Sequence, residues 1–173
     1  MVDEFLNPQK ILETISLKEE MSACDLGCGS GGWAIPLSKI LKSGIVFAID
    51  IMPEAISALE GKIARQGITN IRTTISNVEK GVKLGDDSVD LVLLTNILFE
   101  VDNKEEVLKE AKRIVKSGGK ILIIDWKEGS PIKINDHMVD FDEIRNIINQ
   151  LSLKIERESD AGKFHWSMLI IKP

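Results

Sequence analysis

A run of glycines bracketed by two carboxylates is the first chemical signal in this chain. Gly27, Gly29 and Gly32 stand in a G-x-G-x-x-G spacing within residues 22–33. Glycine in such a turn supplies positive φ and leaves no Cβ between a ligand and the backbone. A helix opening after the turn aims N–H groups and partial positive charge at whatever lies there. Asp25 precedes the first glycine and tells against a pyrophosphate, because like charges in a partly desolvated cleft repel. It favours a ligand that carries positive charge. Asp50 closes the apolar run 44–50, about 20 residues beyond Gly27, the offset at which an acid meets ribose hydroxyls. His137 and His165, the only imidazoles, and Glu100 are the candidate proton acceptors, none with a firm claim. Cys24 and Cys28 form no C-x-x-C pair and have no His cluster beside them. No metal site is expected, and each is read as a small residue that fits.

The elements that must position these groups alternate between strand and helix. Residues 22–26 form a first strand and 31–41 a crossover helix with Pro36 in its early turns. The run 44–50 is continuously apolar, the pattern of a parallel strand buried on both faces. Pro53 opens a helix with Ile56, Leu59 and Ile63 on one face, closing at Gly67. A third strand, 71–75, ends at Ser76-Asn77-Val78, and residues 87–99 carry a fourth strand and its exit. Asp102 with Glu105 is a capping signature for a helix burying Val107, Leu108, Ala111, Ile114 and Val115, which ends at Ser117-Gly118-Gly119. A fifth strand spans 120–126. Asp140 and Glu143 repeat the capping pattern before Ile144, Ile147, Ile148 and Leu151. Two closing strands, 153–158 and 165–171, are joined by about six residues and so must be antiparallel neighbours. Asn7-Pro8 caps and starts a short helix near the beginning.

The 173 residues suit one domain over 1–173, with 43% hydrophobic and 28% charged residues. No apolar run approaches the roughly 18 residues of a membrane span. The acidic start lacks the layout of a signal peptide, so a cytoplasmic protein, monomer or homodimer, is expected. A net charge of −5 argues against nucleic acid and anionic lipid as partners. The basic residues between 109 and 116 are spaced as a solvated helix face.

Asp25-Leu26-Gly27-Cys28-Gly29-Ser30-Gly31 resembles the first motif of class I S-adenosylmethionine-dependent methyltransferases, whose cofactor carries an ammonium and a sulfonium. The resemblance implies an α/β, doubly wound, Rossmann-like domain with a mostly parallel seven-stranded sheet ending in an antiparallel hairpin. It implies S-adenosyl-L-methionine as cofactor, held by Asp25, Leu26, Gly27, Cys28, Gly29 and Ser30 at the turn. Asp50, Ile51 and Met52 would meet the ribose, Asn77 and Val78 the adenine, and Thr95 and Asn96 the methionine end. Asn96-Ile97-Leu98-Phe99-Glu100-Val101 resembles a loop that many small-molecule members fill with Asn-aliphatic-Leu-His-His-Val. Phe99 and Glu100 replace the histidines here, so a base role carried by them is lost, and Phe99 walls off the methyl group.

Phe99, Trp126 and His137 are the expected substrate-pocket residues, and residues 1–20, with Phe5 and Leu6, a partial lid. The Lys-Ser-Gly-Gly-Lys turn and the last strand, 165–172, also resemble the family. The likeness to its ubiquinone/menaquinone-biosynthesis-like branch spans nearly the whole chain and implies methyl transfer by in-line displacement to a small-molecule acceptor. Two other readings stand beside it: a non-catalytic S-adenosylmethionine-binding subunit, and an NAD(P)-dependent oxidoreductase. Asp25, the terminal hairpin and the absence of tyrosine oppose the second.

Overall fold

Seven strands form one sheet in the order β3-β2-β1-β4-β5-β7-β6. They are β1 (Ala23–Leu26), β2 (Val46–Asp50), β3 (Ile71–Ile75), β4 (Val89–Thr95), β5 (Val115–Trp126), β6 (Lys154–Asp160) and β7 (His165–Ile171). The first five pair in parallel, and β7 enters antiparallel between β5 and β6. The structure is a computed structural model and describes residues 6–127, 130 and 139–173. Among these, no helix is long and apolar enough to cross a membrane.

Alternation along the strands sends side chains to two separate cores. On one face Ala23, Ala48, Leu93 and Ile124 pack against α1 (Pro8–Glu13), α2 (Ala34–Ile40) and α3 (Pro53–Gln66). On the other, Cys24, Leu94, Ile123 and Met168 pack against α4 (Lys104–Ile114) and α5 (Phe141–Gln150). A strand covered on both faces has no solvent side, which is why Leu91 to Leu94 of β4 read as a continuous apolar run. The order reversal between β1 and β4 opens a crevice at the carboxyl edge of the sheet.

Several local expectations are corrected. The first crossover helix starts at Ala34 rather than 31, so the glycine stretch is a longer irregular turn without a side-chain cap. The cap of α4 is Asn103, whose side chain accepts from the Glu106 N–H at 3.1 Å; Asp102 lies one residue too early. That helix ends at Ile114, and Ser117-Gly118-Gly119 belongs to β5. The reason is the far end of the chain. Lys172 Nζ donates to the Lys112 and Val115 carbonyls, and the Gly118 N–H donates to the Lys172 carbonyl.

The basic cluster is likewise more than a solvated face. Lys112 Nζ donates to the last-turn carbonyl of Leu151, and Arg113 joins Glu110 to Asp86. Lys116 pairs with Asp90 at 2.9 Å. These cations hold helix carboxyl ends, where partial negative charge collects, and neighbouring loops.

Candidate active site

The glycine turn is tied to the strand beside it. The Gly27 and Cys28 N–H groups both donate to the Ile49 carbonyl, at 2.8 and 3.0 Å. Asp50 Oδ2 accepts from the Gly29 N–H at 2.8 Å, and Oδ1 from the Met52 N–H at 2.9 Å. The N–H groups expected to face a ligand are therefore consumed by β2. A cradle for phosphate needs free N–H groups, and this turn keeps none at those three residues. Gly27 has φ 76° and Gly29 φ 51°, the left-handed region. A Cβ on Gly27 would run into Ile97, whereas the space above Gly29 is open.

A cavity of about 210 Å³ lies on this turn. Gly27, Asp50, Ile51, Met52, Asn77, Val78 and Asn96 line it, together with Ser76, Glu79, Ile97, Glu100 and Val101. Seven of the expected cofactor contacts thus meet around one hollow. Asp25, Leu26, Cys28, Gly29, Ser30 and Thr95 do not line it. Ser30 is exposed, and its hydroxyl and carbonyl both accept from Lys62 Nζ, which fixes the outer side of the turn. Asn77 Oδ1 accepts from the Glu79 N–H at 2.9 Å and caps the 3-10 turn Val78–Lys80. Its carbonyl serves this Asx turn through one of its two lone pairs.

Asp25 is fully buried, and neither carboxylate oxygen has a hydrogen-bond partner. Burial raises its pKa to about 7; the Ala34 N–H points toward the carboxylate and opposes the rise without reaching hydrogen-bond geometry, and Asp50 adds to it. Buried polar groups are almost always paired, so an orphaned carboxylate beside a nucleoside-sized hollow calls for a partner. A cation fits it. Cys28 is buried with its thiol pushed up by burial and by Asp25, which leaves it protonated and inert. Asp50 uses two of its roughly four lone-pair positions, leaving two for hydroxyls. Spare diol acceptors suit any ribose, and it is the carboxylate of Asp25 at the turn that favours an adenosyl sulfonium over a pyrophosphate.

The other side of the crevice is made by the exits of β4, β5 and β7. Asn96 takes φ 52°, and its Oδ1 is buried without a partner. Phe99 is half-buried against the α4 core, and Glu100 has its carboxyl raised by burial and by Asp50. Trp126 and His165 face each other across β5 and β7 with ring centroids 3.9 Å apart. His165 is 5% exposed, and burial, helped by Lys127, lowers its pKa to about 4. It is neutral at pH 7, and its Nε2 has no partner.

Neither Phe99 nor Trp126 lines the hollow on the glycine turn; Trp126 borders a second cavity, about 540 Å³, over β6 and the start of α5. His137 and Phe5 lie outside the described residues. Sequence reasoning passed over Asp125, fully buried at the end of β5, although an acid closing an apolar strand was the signal used for Asp50.

The fold and this hollow define a doubly wound α/β domain with a nucleoside cleft at its switch point. The methyltransferase domain family matches residues 17–166, and the chain belongs to it. It is 31% identical over 120 residues to the demethylmenaquinone methyltransferase of Bacillus velezensis, covering 69% of this chain and 51% of that protein. It is 25% identical over 169 residues to a sterol 4-C-methyltransferase of Caenorhabditis elegans, covering 94% of this chain and 48% of that protein. The chain thus spans about half the length of the curated relatives it matches. A crystal structure of a SAM-dependent methyltransferase from Aquifex aeolicus superposes with a TM-score of 0.89 at 27% identity, covering 98% and 92% of the two chains.

Proposed function

We infer that the chain is an S-adenosyl-L-methionine-dependent methyltransferase acting on a small, apolar or aromatic acceptor in the cytoplasm. The observation that carries this is the unpaired, buried Asp25 beneath a hollow that Asp50 borders with lone pairs to spare. Asp25 and the turn residues Leu26, Gly27, Cys28, Gly29 and Ser30 meet the amino-acid end, with Thr95 and Asn96 opposite. Asp50 accepts both ribose hydroxyls, Ile51 and Met52 cover the sugar and ring, and Asn77 and Val78 face the adenine. The exposed Ile51 and Met52 side chains are then covered on binding.

A sulfonium donor supplies an electrophilic methyl carbon, so an acceptor lone pair forms the new bond while the C–S pair returns to sulfur. The protein's part is alignment, and positioning alone supplies ~7–11 kcal/mol of such a barrier. Phe99 and Trp126 exclude water and hold a flat acceptor. His165, its Nε2 buried and its pKa lowered to about 4, is too weak a base at neutral pH to take a proton from the acceptor and instead packs against Trp126.

Calorimetry tests the donor half: S-adenosylmethionine and S-adenosylhomocysteine should bind and NADH should not. Labelled methyl donor offered with 1,4-naphthohydroquinone, catechol and a sterol tests the acceptor half. Binding of NADH in preference to the adenosyl ligands would overturn the reading.

A further inference from the structure

We propose that Asp125 is a positioning residue of this site: from inside the fold it ties the loop after β4 to the end of β5 and so sets the wall an acceptor meets. The role in transfer rests on the methyltransferase reading above; the mechanical role does not. Asp125 is fully buried. Its Oδ2 accepts the Leu98 N–H at 3.0 Å and its Oδ1 the Trp126 N–H at 2.9 Å. The Phe99 N–H also stabilises its charge. One carboxylate therefore holds the backbone on both flanks of the acceptor side, immediately before Phe99 and at Trp126.

Ile97 and Leu98 anchor the loop by packing into the core, but its other backbone hydrogen bonds are few. The Asn96 N–H continues the ladder to the Ile124 carbonyl, and the chain then turns through the left-handed Asn96. The Glu100 N–H closes a single turn onto the Ile97 carbonyl. Strain of this kind persists only where the surroundings over-determine it, and Asp125 is the group that does so. No described cation pairs with Asp125, and a buried carboxylate without one is an expensive way merely to fill space.

Burial raises the Asp125 pKa to about 6, against the Trp126, Leu98 and Phe99 N–H groups, with a smaller addition from Glu100 on the clamped loop. Its register partner on β7 is the uncharged Trp166, while His165, one residue earlier, faces the opposite side of the sheet. Lys127, two residues on, is paired with Asp160.

Asp125→Asn keeps the shape, but however the amide turns, one N–H faces an NH2 and loses its acceptor. Amide hydrogen exchange should then run about tenfold faster at Leu98, Phe99 and Trp126, the loss of roughly one hydrogen bond to a charged group. Gly27 and Ile49 should keep their protection, and the dissociation constant for S-adenosylhomocysteine should stay within about threefold. The wild type supplies a test that needs no variant. Between pH 7 and 5, after correction for intrinsic exchange, protection at Leu98 should rise, while Gly27 stays level. The closed loop holds the Asp125 proton, at about 6, more tightly than an opened loop that returns the carboxyl to water, at 3.8.

Unchanged protection at both Leu98 and Trp126 in Asp125→Asn, a uniform loss across the sheet, or a flat wild-type pH profile would each overturn the proposal. Failure of S-adenosylhomocysteine to bind the wild type would instead sink the methyltransferase reading, with the Leu98 result still standing.

Discussion

The two sides of the crevice are built by different means. On the donor side a glycine motif supplies the geometry with its own backbone: the N–H groups of the turn after β1 are fastened to Ile49 and Asp50 at the end of the adjacent β2, with Gly29 and Asp50 21 positions apart. On the acceptor side, the loop after β4 takes its shape from Asp125, 27 positions along the chain from Leu98. The donor side is a motif and the acceptor side an assembly. A donor site of this kind suits one unchanging ligand, while an acceptor wall set by distant contacts is free to vary with the substrate.

Substitutions can break or sharpen that contrast. The largest effect is expected from Gly27→Ala, which bridges both sides. Its Cβ would press on Ile97 from Cδ1 back to Cβ, and left-handed backbone adds a penalty of about 1–2 kcal/mol. A lower melting temperature together with more than ~tenfold weaker S-adenosylmethionine binding should appear, at about one pKa-unit equivalent or more. Normal binding would show that the Gly27–Ile97 contact does not join the two sides.

Asp50→Ala should weaken the adenosyl ligands by ~1.5–3 kcal/mol, the range for hydrogen bonds to a charged group. It should leave Leu98 amide protection unchanged, since the donor side alone is cut. Unaltered affinity in calorimetry would remove Asp50 from the site.

Asp25→Asn tests charge rather than shape. The carboxyl goes from 3.8 in the unfolded chain to about 7 when folded, so the folded state holds the proton more tightly. Its contribution favours folding at low pH and is lost as pH rises through that window. A cationic ligand prefers the ionised form, so wild-type affinity should climb from pH 6 to 8 with proton release. Asp25→Asn should flatten both curves and cost about tenfold in affinity at pH 8. Parallel slopes in the two proteins would place the cation elsewhere.

The smallest effect is expected from Glu100→Gln. Glu100 is exposed although it borders the hollow, and its loss should change donor affinity by no more than about twofold. A tenfold change would make Glu100 part of the donor side and erase the contrast.

Legibility followed the same divide. Positive φ at Gly27 and Gly29, the acid closing β2 and the capping of α5 by Asp140 were readable from a few adjacent residues, whereas Gly31, not the motif's third glycine Gly32, is the other left-handed residue of the turn. The cap of α4 was missed by one residue, and its end was missed because Lys172 terminates it from the far end of the chain. Asn77 Oδ1 accepts from the Glu79 N–H in an Asx turn, which occupies one of its two lone pairs.

By itself the sequence determined the alternation of strands and helices, the glycine turn and the carboxylates around it, since periodicity and φ preference are local properties. Only the tertiary structure decided that Asp25 is buried without a partner, that β2 consumes the N–H groups of the turn, and that Asp125 anchors a loop remote in sequence. Burial and hydrogen-bond partnership belong to pairs of groups that meet only after the sheet has assembled, and no single stretch of chain encodes them.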